Sequence, residues 1–449
     1  MNVYVVSLGC PKNRTDTEAA LGTLKTLDPG LEIVEKREEA DLILVNTCSF
    51  IQKAVEESIE TILDLALKKA DHQKIAVMGC LYKRYGEELK KELPEVDIFL
   101  GNEVKEGDLA PLFEVPPPHI KDSVTPPPCG RRILTTPPWR AYVKIVEGCS
   151  HKCTYCLIPT IRGPRRPRPL PEVLDELKRL SDCGVKEVTL VGQDLTSWEW
   201  EGLRLADLVE RVDMEVDIPW IRLLYLHPTG VDQRLLEAVS SGQRILNYLD
   251  IPIQHASSTI LKRMGRPYDL DFLRRLFGWI REKYPWIVLR TTVMVGFPGE
   301  TDDDLETLLA FMKEIEFHHL GCFRYSDEEE APSHAFRYKV SKSTARARQM
   351  EVLELQNSIS RRHLREYVGQ CLEVLIEGYS KETDLLLEGR TAFQAPGVDG
   401  AVYINEGTGE PGKFFNVEIR DSFDYELLGR IKGPLAEPAG QSVQSSYQK

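Results

Sequence analysis

The sequence predicts an α/β protein with three folded parts: an N-terminal parallel-sheet domain, an open (β/α)6 barrel and a small C-terminal β-barrel. Three observations lead to this prediction. Apolar, strand-like runs alternate with helix-like segments over residues 1–114, the alternation resumes over residues 139–366, and short strand-like runs follow one another over residues 367–433. Strands that alternate with helices form parallel sheets, whereas a series of short strands without helices closes into a barrel.

Three apolar runs of the N-terminal region each end at a cysteine. The runs finish at Cys10, Cys48 and Cys80, and helix-like segments follow the first two at residues 16–27 and 53–69. The carboxyl ends of parallel strands share one edge of a sheet, where ligands bind. We therefore expect these cysteines to converge. The alternative is three buried core cysteines, because a free cysteine packs well, but it explains one such cysteine better than three at matching strand ends.

The region 139–366 predicts six strands separated by helices, which is three quarters of a full (β/α)8 barrel. The predicted strands span residues 141–146, 187–191, 220–226, 248–253, 288–295 and 318–325. The predicted helices include residues 171–181, 232–241, 269–283 and 302–314. Barrels of this kind carry their chemistry at the carboxyl ends of the strands, so functional side chains are expected there.

The remaining segments predict connections and a tail. Residues 115–138 contain Pro-Pro-Pro twice and Pro-Pro once, which predicts a stiff linker or extended arm. A helix over residues 342–367 bridges to the third part, where five short strands are predicted. Residues 434–449 are rich in Ser, Gln, Pro and Gly and predict a disordered tail.

Cys149, Cys153 and Cys156 follow the first predicted barrel strand with the spacing C-x3-C-x2-C. Three thiolates this close can hold three irons of a four-iron, four-sulfur cluster and leave the fourth iron open for reaction. A zinc ion is the alternative, but zinc takes a fourth ligand and prefers C-x2-C pairs. His151 would supply that ligand only awkwardly from inside the loop. The spacing therefore favours a reactive iron–sulfur site.

With Tyr155 just before its last cysteine, this motif resembles the signature of radical S-adenosylmethionine (SAM) enzymes. The resemblance implies that the open iron chelates the amino and carboxylate groups of SAM. It also implies that one electron from the cluster cleaves the sulfonium to a 5'-deoxyadenosyl radical. Tyr155 is then expected to lie near the adenine.

The order of the motifs resembles the methylthiotransferase family over nearly all of residues 1–433. The N-terminal domain of that family is resembled by residues 7–13, 16–18, 46–48 and 79–80. Its radical domain is resembled by residues 147–156, 158–159 and 162–163, and its TRAM domain by residues 367–433. The resemblance implies two four-iron, four-sulfur clusters and SAM in two roles, as radical source and as methyl donor. The auxiliary cluster, on Cys10, Cys48 and Cys80, would supply sulfur through its open iron.

Polar residues follow the predicted barrel strands where SAM would lie, and three of them are candidate ligand contacts: Gln193, Gln254 and Arg290. Gln254 can hydrogen-bond a carboxylate or ribose, and Arg290 can pair with a carboxylate through two parallel bonds. Each alone is also explained as a loop, cap or surface group; as a set on one rim they favour a ligand role. His255 is either a core residue or a weaker candidate.

Residues 162–168, Arg-Gly-Pro-Arg-Arg-Pro-Arg, are the basic segment beside the C-x3-C-x2-C loop. Two interpretations stay open for it. The segment contacts an acidic group of the substrate, or it is a solvated loop, since such runs are often only exposed charge.

Methylthiotransferases modify either an adenosine of transfer RNA or an aspartate of a small-subunit ribosomal protein near the decoding centre. Residues 9–13, Gly-Cys-Pro-Lys-Asn, and 395–400, Ala-Pro-Gly-Val-Asp-Gly, resemble the ribosomal-protein branch; the transfer-RNA branch typically has Gln-Met in place of Pro11 and Lys12. Residues 367–432 carry twelve acidic against six basic side chains, which suits a basic protein better than RNA. The expected reaction is methylthiolation of the aspartate β-carbon. The alternatives are the same reaction on transfer RNA, and a non-catalytic iron–sulfur electron carrier or redox sensor.

Composition sets the expected surroundings. The formal net charge of −13 argues against a general nucleic-acid binder, so RNA contact is the less favoured expectation. Ten cysteines, six of them in metal-like arrangements, argue for a reducing cytoplasm rather than a disulfide scaffold. No signal peptide or membrane-spanning run is evident. We expect a monomer that works with an electron donor such as flavodoxin or ferredoxin, and with a sulfur donor.

Overall fold

The structure is a computed structural model that describes residues 1–113 and 132–435. These residues form two compact units. The first comprises Met1–His151, Cys156–Val185 and Val191–Gln193, and the second comprises Lys152–Tyr155, Lys186–Leu190 and the residues from Asp194 onward. None of the helices in the described ranges is both long and apolar enough to cross a membrane.

The first unit is built on a five-stranded parallel sheet with the order β2-β1-β3-β4-β5. Its strands are β1 (Asn2–Ser7), β2 (Glu32–Val34), β3 (Leu42–Thr47), β4 (Lys74–Gly79) and β5 (Ile98–Leu100). Side chains alternate across each strand, so β3 contributes Leu44 to the core on one face and Val45 to the core on the other. All six residues of β3 are buried, as expected for a central strand covered on both faces.

Helices connect these strands, and each predicted helix starts earlier than expected. They are α1 (Pro11–Leu27), α2 (Gln52–Leu67), α3 (Cys80–Glu92) and α4 (Glu106–Leu109). Pro11 opens α1 because its fixed φ and missing N–H suit the first turn of a helix. The helix α3, which begins at the third cysteine itself, was not predicted from the sequence.

The rest of the first unit follows the segment that is not described. Its elements are β6 (Arg140–Lys144), β7 (Val146–Glu147), α5 (Ile158–Arg162), β8 (Arg166–Pro167) and α6 (Leu170–Asp182). Most of the predicted linker, with Cys129, lies outside the described residues. Its described end is tied to α1, because Ile133 donates its N–H to the carbonyl of Glu18 (3.1 Å) and packs against the sheet core.

The second unit holds the parallel strands of the predicted barrel, in the order β9-β12-β13-β14-β15. These strands are β9 (Glu187–Val191), β12 (Trp220–Leu223), β13 (Ile245–Asp250), β14 (Val288–Val295) and β15 (His319–Arg324). Two short strands, β10 (Glu199–Trp200) and β11 (Leu203–Arg204), form a separate antiparallel pair. The helices are α7 (Leu205–Glu215), α8 (Gln233–Ser241), α9 (Ser258–Arg263), α10 (Leu270–Lys283) and α11 (Asp302–Ile315). Asp232 and Asp269, predicted as first residues of helices, instead cap α8 and α10 through their carboxylates.

A long helix, α12 (Lys342–Arg365), leads to the third part, which is the predicted closed barrel of five strands. They are β16 (Cys371–Tyr379), β17 (Leu387–Arg390), β18 (Val402–Glu406), β19 (Phe414–Ser422) and β20 (Leu427–Pro434), in the order β16-β17-β18-β20-β19. β20 therefore ends one residue inside the segment predicted as a tail; residues 436–449 lie outside the described range.

Buried ion pairs hold the small barrel against the parallel strands of the second unit. Glu187 on β9 pairs with Arg222 on β12 (3.0 Å) and with Arg390 on β17, and Arg390 also pairs with Glu377. A separate carboxylate, Asp399, accepts a hydrogen bond from the Tyr248 hydroxyl at 2.6 Å. The small barrel is therefore fixed to these strands by charge as well as by packing.

Candidate iron–sulfur sites

Cys10, Cys48 and Cys80 follow the carboxyl ends of three adjacent strands, β1, β3 and β4. The side chain of Asn13 lies among them: its Oδ1 accepts from the Cys10 thiol at 3.6 Å and from the Cys80 thiol at 3.8 Å. A Cβ built on Gly9 would lie 3.2 Å from the sulfur of Cys48. The convergence predicted from the strand ends is therefore present.

Asn13 also fixes the loops that carry the cysteines. Its Nδ2 donates to the carbonyl of Leu8 at 3.2 Å and to that of Thr47 at 3.0 Å, so the loops after β1 and β3 share one anchor. Asn46, buried at the end of β3, donates to the Asn13 carbonyl at 2.7 Å. These bonds hold the thiols in place without using their sulfur atoms.

Burial favours the protonated thiol at two of these three cysteines until a metal binds. Burial raises the pKa of Cys80 to about 12, against an opposing effect of the Arg162 guanidinium. Burial also raises the pKa of Cys48. Thiolates rather than thiols ligate metals, so loading this site would release protons.

The three sulfur donors fit a cluster better than a single ion. No three His, Cys, Asp or Glu side chains of the described residues lie close enough to hold one metal ion. A single zinc ion at about 2.3 Å from each sulfur needs thiolates roughly 4 Å apart. A four-iron cluster is itself larger than that separation and takes each cysteine at a different corner, so more widely spaced soft donors suit it.

Arg162, at the end of α5, is a residue of this site that was not predicted from the sequence. Its Nη2 donates to Asn13 Oδ1 at 2.7 Å and to Asp16 at 3.0 Å, and its Nη1 donates to Glu147 at 3.0 Å. Its side chain is only 2% exposed. Both interpretations of the basic segment are therefore wrong for Arg162, although Arg166 in the same segment is exposed. Only tertiary folding brings Arg162 to the cysteines. Its basic neighbours in sequence suggest an exposed segment instead.

Glu147, next to the C-x3-C-x2-C loop, is ionised by the same contacts. Burial alone would raise its pKa, but Lys144 and Arg162 hold it at about 2. Lys144 pairs with both Glu147 and Asp16. The four side chains Asp16, Lys144, Glu147 and Arg162, called here the first-unit charge network, form a closed set of two cations and two anions.

The C-x3-C-x2-C loop is divided between the units. In the first unit, Cys149 donates its backbone N–H to the carbonyl of Gly163 at 3.1 Å, and Cys156 is half-buried. Gly148 has a φ of +72°, and a Cβ there would lie 2.2 Å from the carbonyl oxygen of Pro164. Only glycine fits this close approach, which fixes the start of the loop.

In the second unit, Arg266 donates a guanidinium N–H to the sulfur of Cys153 at 3.3 Å. The same guanidinium also donates to the Tyr268 hydroxyl at 2.6 Å. The ring of Tyr155 meets that of Phe297 edge-to-face, with centroids 6.4 Å apart. Arg266 is thus a second residue that sequence reasoning missed.

The structure gives the three predicted rim contacts different surroundings. Both amide atoms of Gln193 are buried without a hydrogen-bond partner, as a residue awaiting a polar ligand would be. Gln254 has a φ of +68°, a strained conformation for a residue other than glycine, held by bonds to Thr292 and Met294. Arg290 pairs with Asp250 at 2.9 Å and with Asp399 at 3.3 Å, so its guanidinium already has carboxylate partners.

His255 lies in the core. It is fully buried and accepts a hydrogen bond from the Ser257 N–H at 2.9 Å. Burial lowers its pKa to about 4, so the ring is neutral near pH 7.

Three family models match the chain. They describe an uncharacterized protein family, UPF0004 (residues 2–101), the radical SAM superfamily (residues 143–312) and the TRAM domain (residues 368–431). Among solved structures, the radical SAM methyltransferase TsrM from Kitasatospora setae, with cobalamin and a [4Fe-4S] cluster bound, is similar with a TM-score of 0.52. The match covers 74% of this chain and 76% of that one at 16% identity, so it supports the fold alone.

Fold and cysteine sites thus define a radical SAM enzyme. The relatives named "ribosomal protein uS12 methylthiotransferase RimO" are much more similar: the one from Trichlorobacter lovleyi is 44% identical over 96% of this chain and 98% of its own, and the one from Myxococcus xanthus 43% identical over 96% and 91%. The chain belongs to this methylthiotransferase family. The predicted family, enzyme class and cofactors, four-iron, four-sulfur clusters and SAM, are confirmed.

Proposed function

We propose that this protein adds a methylthio group to the β-carbon of an aspartate of the small-subunit ribosomal protein uS12, near the decoding centre. The observation that carries the proposal is the presence of two separate sets of three cysteines, one of them gathered from three strand ends around Asn13. Relatives of similar length carry the name of this activity. A single electron-transfer site would need only one set, and would ligate every iron.

Six cysteines would hold the two clusters. Cys149, Cys153 and Cys156 would hold the radical cluster, and Cys10, Cys48 and Cys80 the auxiliary one. When bound, the first supplies the electron that cleaves SAM and the second supplies sulfur. Radical chemistry fits this substrate, because no side-chain base near neutral pH can remove a proton from the β-carbon of an aspartate.

The protein side of the reaction is orientation and shielding. Arg266 orients Cys153 through the 3.3 Å hydrogen bond to its sulfur. Tyr155, packed against Phe297, would form an apolar wall beside the adenine. The buried amide of Gln193, which has no hydrogen-bond partner, is a candidate contact for a polar group of SAM, and Gln254 is a second candidate. Arg290 is the weakest of these contacts, since Asp250 and Asp399 already engage it.

Charge supports a protein substrate. The third part carries twice as many acidic as basic residues, and a basic ribosomal protein complements such a surface. Phosphate-rich RNA does not. Action on a ribosomal protein in turn implies a cytoplasmic enzyme. As further partners we propose an electron donor, such as flavodoxin or ferredoxin, and a sulfur donor. We propose that the enzyme works as a monomer.

The test is an anaerobic assay of the reconstituted protein with dithionite and SAM, with uS12 and unmodified transfer RNA supplied in parallel. We expect a gain of about 46 Da, the mass of an added SCH2, on one aspartate peptide of uS12. The same gain on an adenosine instead would overturn the substrate and assign the transfer-RNA reaction.

Three cysteine variants separate the sites. Cys153→Ala is expected to abolish formation of 5'-deoxyadenosine, whereas Cys48→Ala should retain SAM cleavage and lose the methylthio product. Cys371→Ala, an exposed cysteine outside both sets, is the matched control and should keep both activities. If Cys48→Ala still formed the full product, the role of the auxiliary set would be wrong.

A further inference from the structure

The guanidinium of Arg162 is a buried cation that faces the auxiliary cysteines. It donates to Asn13 Oδ1, the same atom that accepts from the thiols of Cys10 and Cys80. Its charge also interacts with the thiols of Cys80 and Cys10. The side chain is therefore linked to two of the three cysteines through one shared oxygen atom.

Two carboxylates also accept hydrogen bonds from this guanidinium. Asp16 and Glu147 each accept one of its N–H groups at 3.0 Å. Lys144 pairs with both of the same carboxylates, so the two anions are already balanced in part by a second cation. Among the cations of the first-unit charge network, Arg162 is the one placed toward the thiols. It would therefore oppose the negative charge that three thiolates bring.

The backbone next to Arg162 touches the other cysteine set. The carbonyl of Gly163 accepts the N–H of Cys149, and Glu147, which pairs with Arg162, lies two residues before Cys149. One short segment at the end of α5 thus contacts both sets within the first unit. A change in the side chain of Arg162 can reach the start of the C-x3-C-x2-C loop through these two connections.

We propose that Arg162 is a positioning residue for both cysteine sets: its charge raises the reduction potential of the auxiliary cluster, and its fork of hydrogen bonds holds the start of the C-x3-C-x2-C loop. This inference rests on the proposed function only in that Cys10, Cys48 and Cys80 hold a cluster. A nearby positive charge stabilises the more negative, reduced state of a cluster, so its removal makes reduction harder.

The charge role is tested in the full chain with Cys149, Cys153 and Cys156 replaced by alanine, so that only the auxiliary cluster is present. Iron and sulfide content and a mediated redox titration followed by electron paramagnetic resonance are measured for Arg162→Gln and Arg162→Lys. Arg166→Gln is the matched control, because Arg166 lies in the same basic segment but is 55% exposed and pairs with exposed Glu103.

We expect Arg162→Gln to lower the ratio of reduced to oxidised cluster at least tenfold at a set potential, which is about 59 mV for a one-electron couple. Arg162→Lys keeps the charge and should recover most of that ratio, and Arg166→Gln should match the parent. Loss of the cluster in Arg162→Gln with retention in Arg162→Lys would support the charge role equally. A parental potential in Arg162→Gln, or cluster loss in both variants, would overturn it.

The loop role is tested by hydrogen exchange in the chain with all six cysteines. Arg162→Lys cannot reproduce the fork to Asp16 and Glu147, so the amide of Cys149 should exchange at least tenfold faster than in Arg166→Gln. Unchanged exchange would refute this half of the inference. If the chain with Arg162 intact holds no auxiliary cluster at all, the proposed function itself fails. That outcome differs from a failure of the inference about Arg162, in which the parent chain holds the cluster.

Discussion

Each unit buries a network of paired charges, and the two networks differ in what surrounds them. The first-unit charge network lies beside the thiols of Cys10 and Cys80. The second-unit charge network, Glu187, Arg222, Glu377 and Arg390, is surrounded by protein alone: Arg222 donates to the carbonyl of Ala392 at 2.9 Å and lies over the ring of Tyr248. Buried charge is therefore no sign of function by itself. Reactive groups beside the charge are the distinguishing feature.

The largest effect is expected from the second network. Glu187→Gln leaves Arg222 and Arg390 buried without their shared carboxylate, and breaking a buried pair this way costs about 3–5 kcal/mol. Chemical unfolding should show this loss, while iron content per folded chain stays at the parental value. A fall in iron content at an unchanged free energy of unfolding would contradict the purely structural role of the second-unit charge network.

The next effect concerns the link between the first network and the cysteine loop. Gly148→Ala places a Cβ 2.2 Å from the carbonyl oxygen of Pro164 at a φ of +72°, so the loop must shift. Gly163→Ala is the control with a similar φ of +78° and no atom within 4 Å, and it should cost only about 1 kcal/mol of strain. We expect loss of iron from the Cys149 site in the first variant alone. Equal iron content in both would refute the close approach.

A third expectation is a difference in acid sensitivity between the units. Burial lowers the pKa values of four histidines of the second unit, His255 (to about 4), His318, His319 and His363. Their folded pKa values lie below the unfolded value of about 6.5, so their contribution to stability is complete above pH 6.5 and is lost as the pH falls through the folded pKa values. For His255 the loss at pH 5 is on the order of 2 kcal/mol.

Glu147 in the first unit loses its contribution to stability over a lower pH range. Its folded pKa of about 2 lies below the unfolded value of about 4.3, so its contribution is intact at pH 5 and is lost between those values. Hydrogen exchange at pH 7 and pH 5 should therefore show a larger loss of protection in second-unit peptides. His255→Gln should reduce that loss. Equal losses in both units would contradict the burial of the histidines.

The smallest effect is expected where the same chemical change is made at the surface. Glu410→Gln removes an ion pair with Lys413 in which both side chains are more than half exposed. Water screens such a pair, so the free energy of unfolding should change by less than about 0.5 kcal/mol. If Glu410→Gln lowered the free energy of unfolding as much as Glu187→Gln, burial would not explain the difference between the two ion pairs.

Local patterns predicted most of the fold, and they singled out the six cysteines that we propose as cluster ligands. Strand runs, helix periodicity and cysteine spacing each depend on neighbours in sequence, and for that reason β9 and β14 were predicted with the bounds they have. Arg162 and Arg266 were missed because their partners, such as Asp16 and Cys153, lie far away along the chain. The pairing of Arg290 with Asp399 could not be predicted from the sequence, because it depends on the docking of a loop that is distant along the chain.

The position of Arg162 along the chain has a consequence for how the protein is made. Synthesis proceeds from the N-terminal to the C-terminal side, so Cys10, Cys48 and Cys80 leave the ribosome well before Arg162 does. During that interval the thiols can gather around Asn13, but the buried cation that faces them has not yet been made. A metal delivered then would meet an unfinished site. We therefore expect iron loading to follow the synthesis of α5, which makes maturation a late event in the life of each new chain.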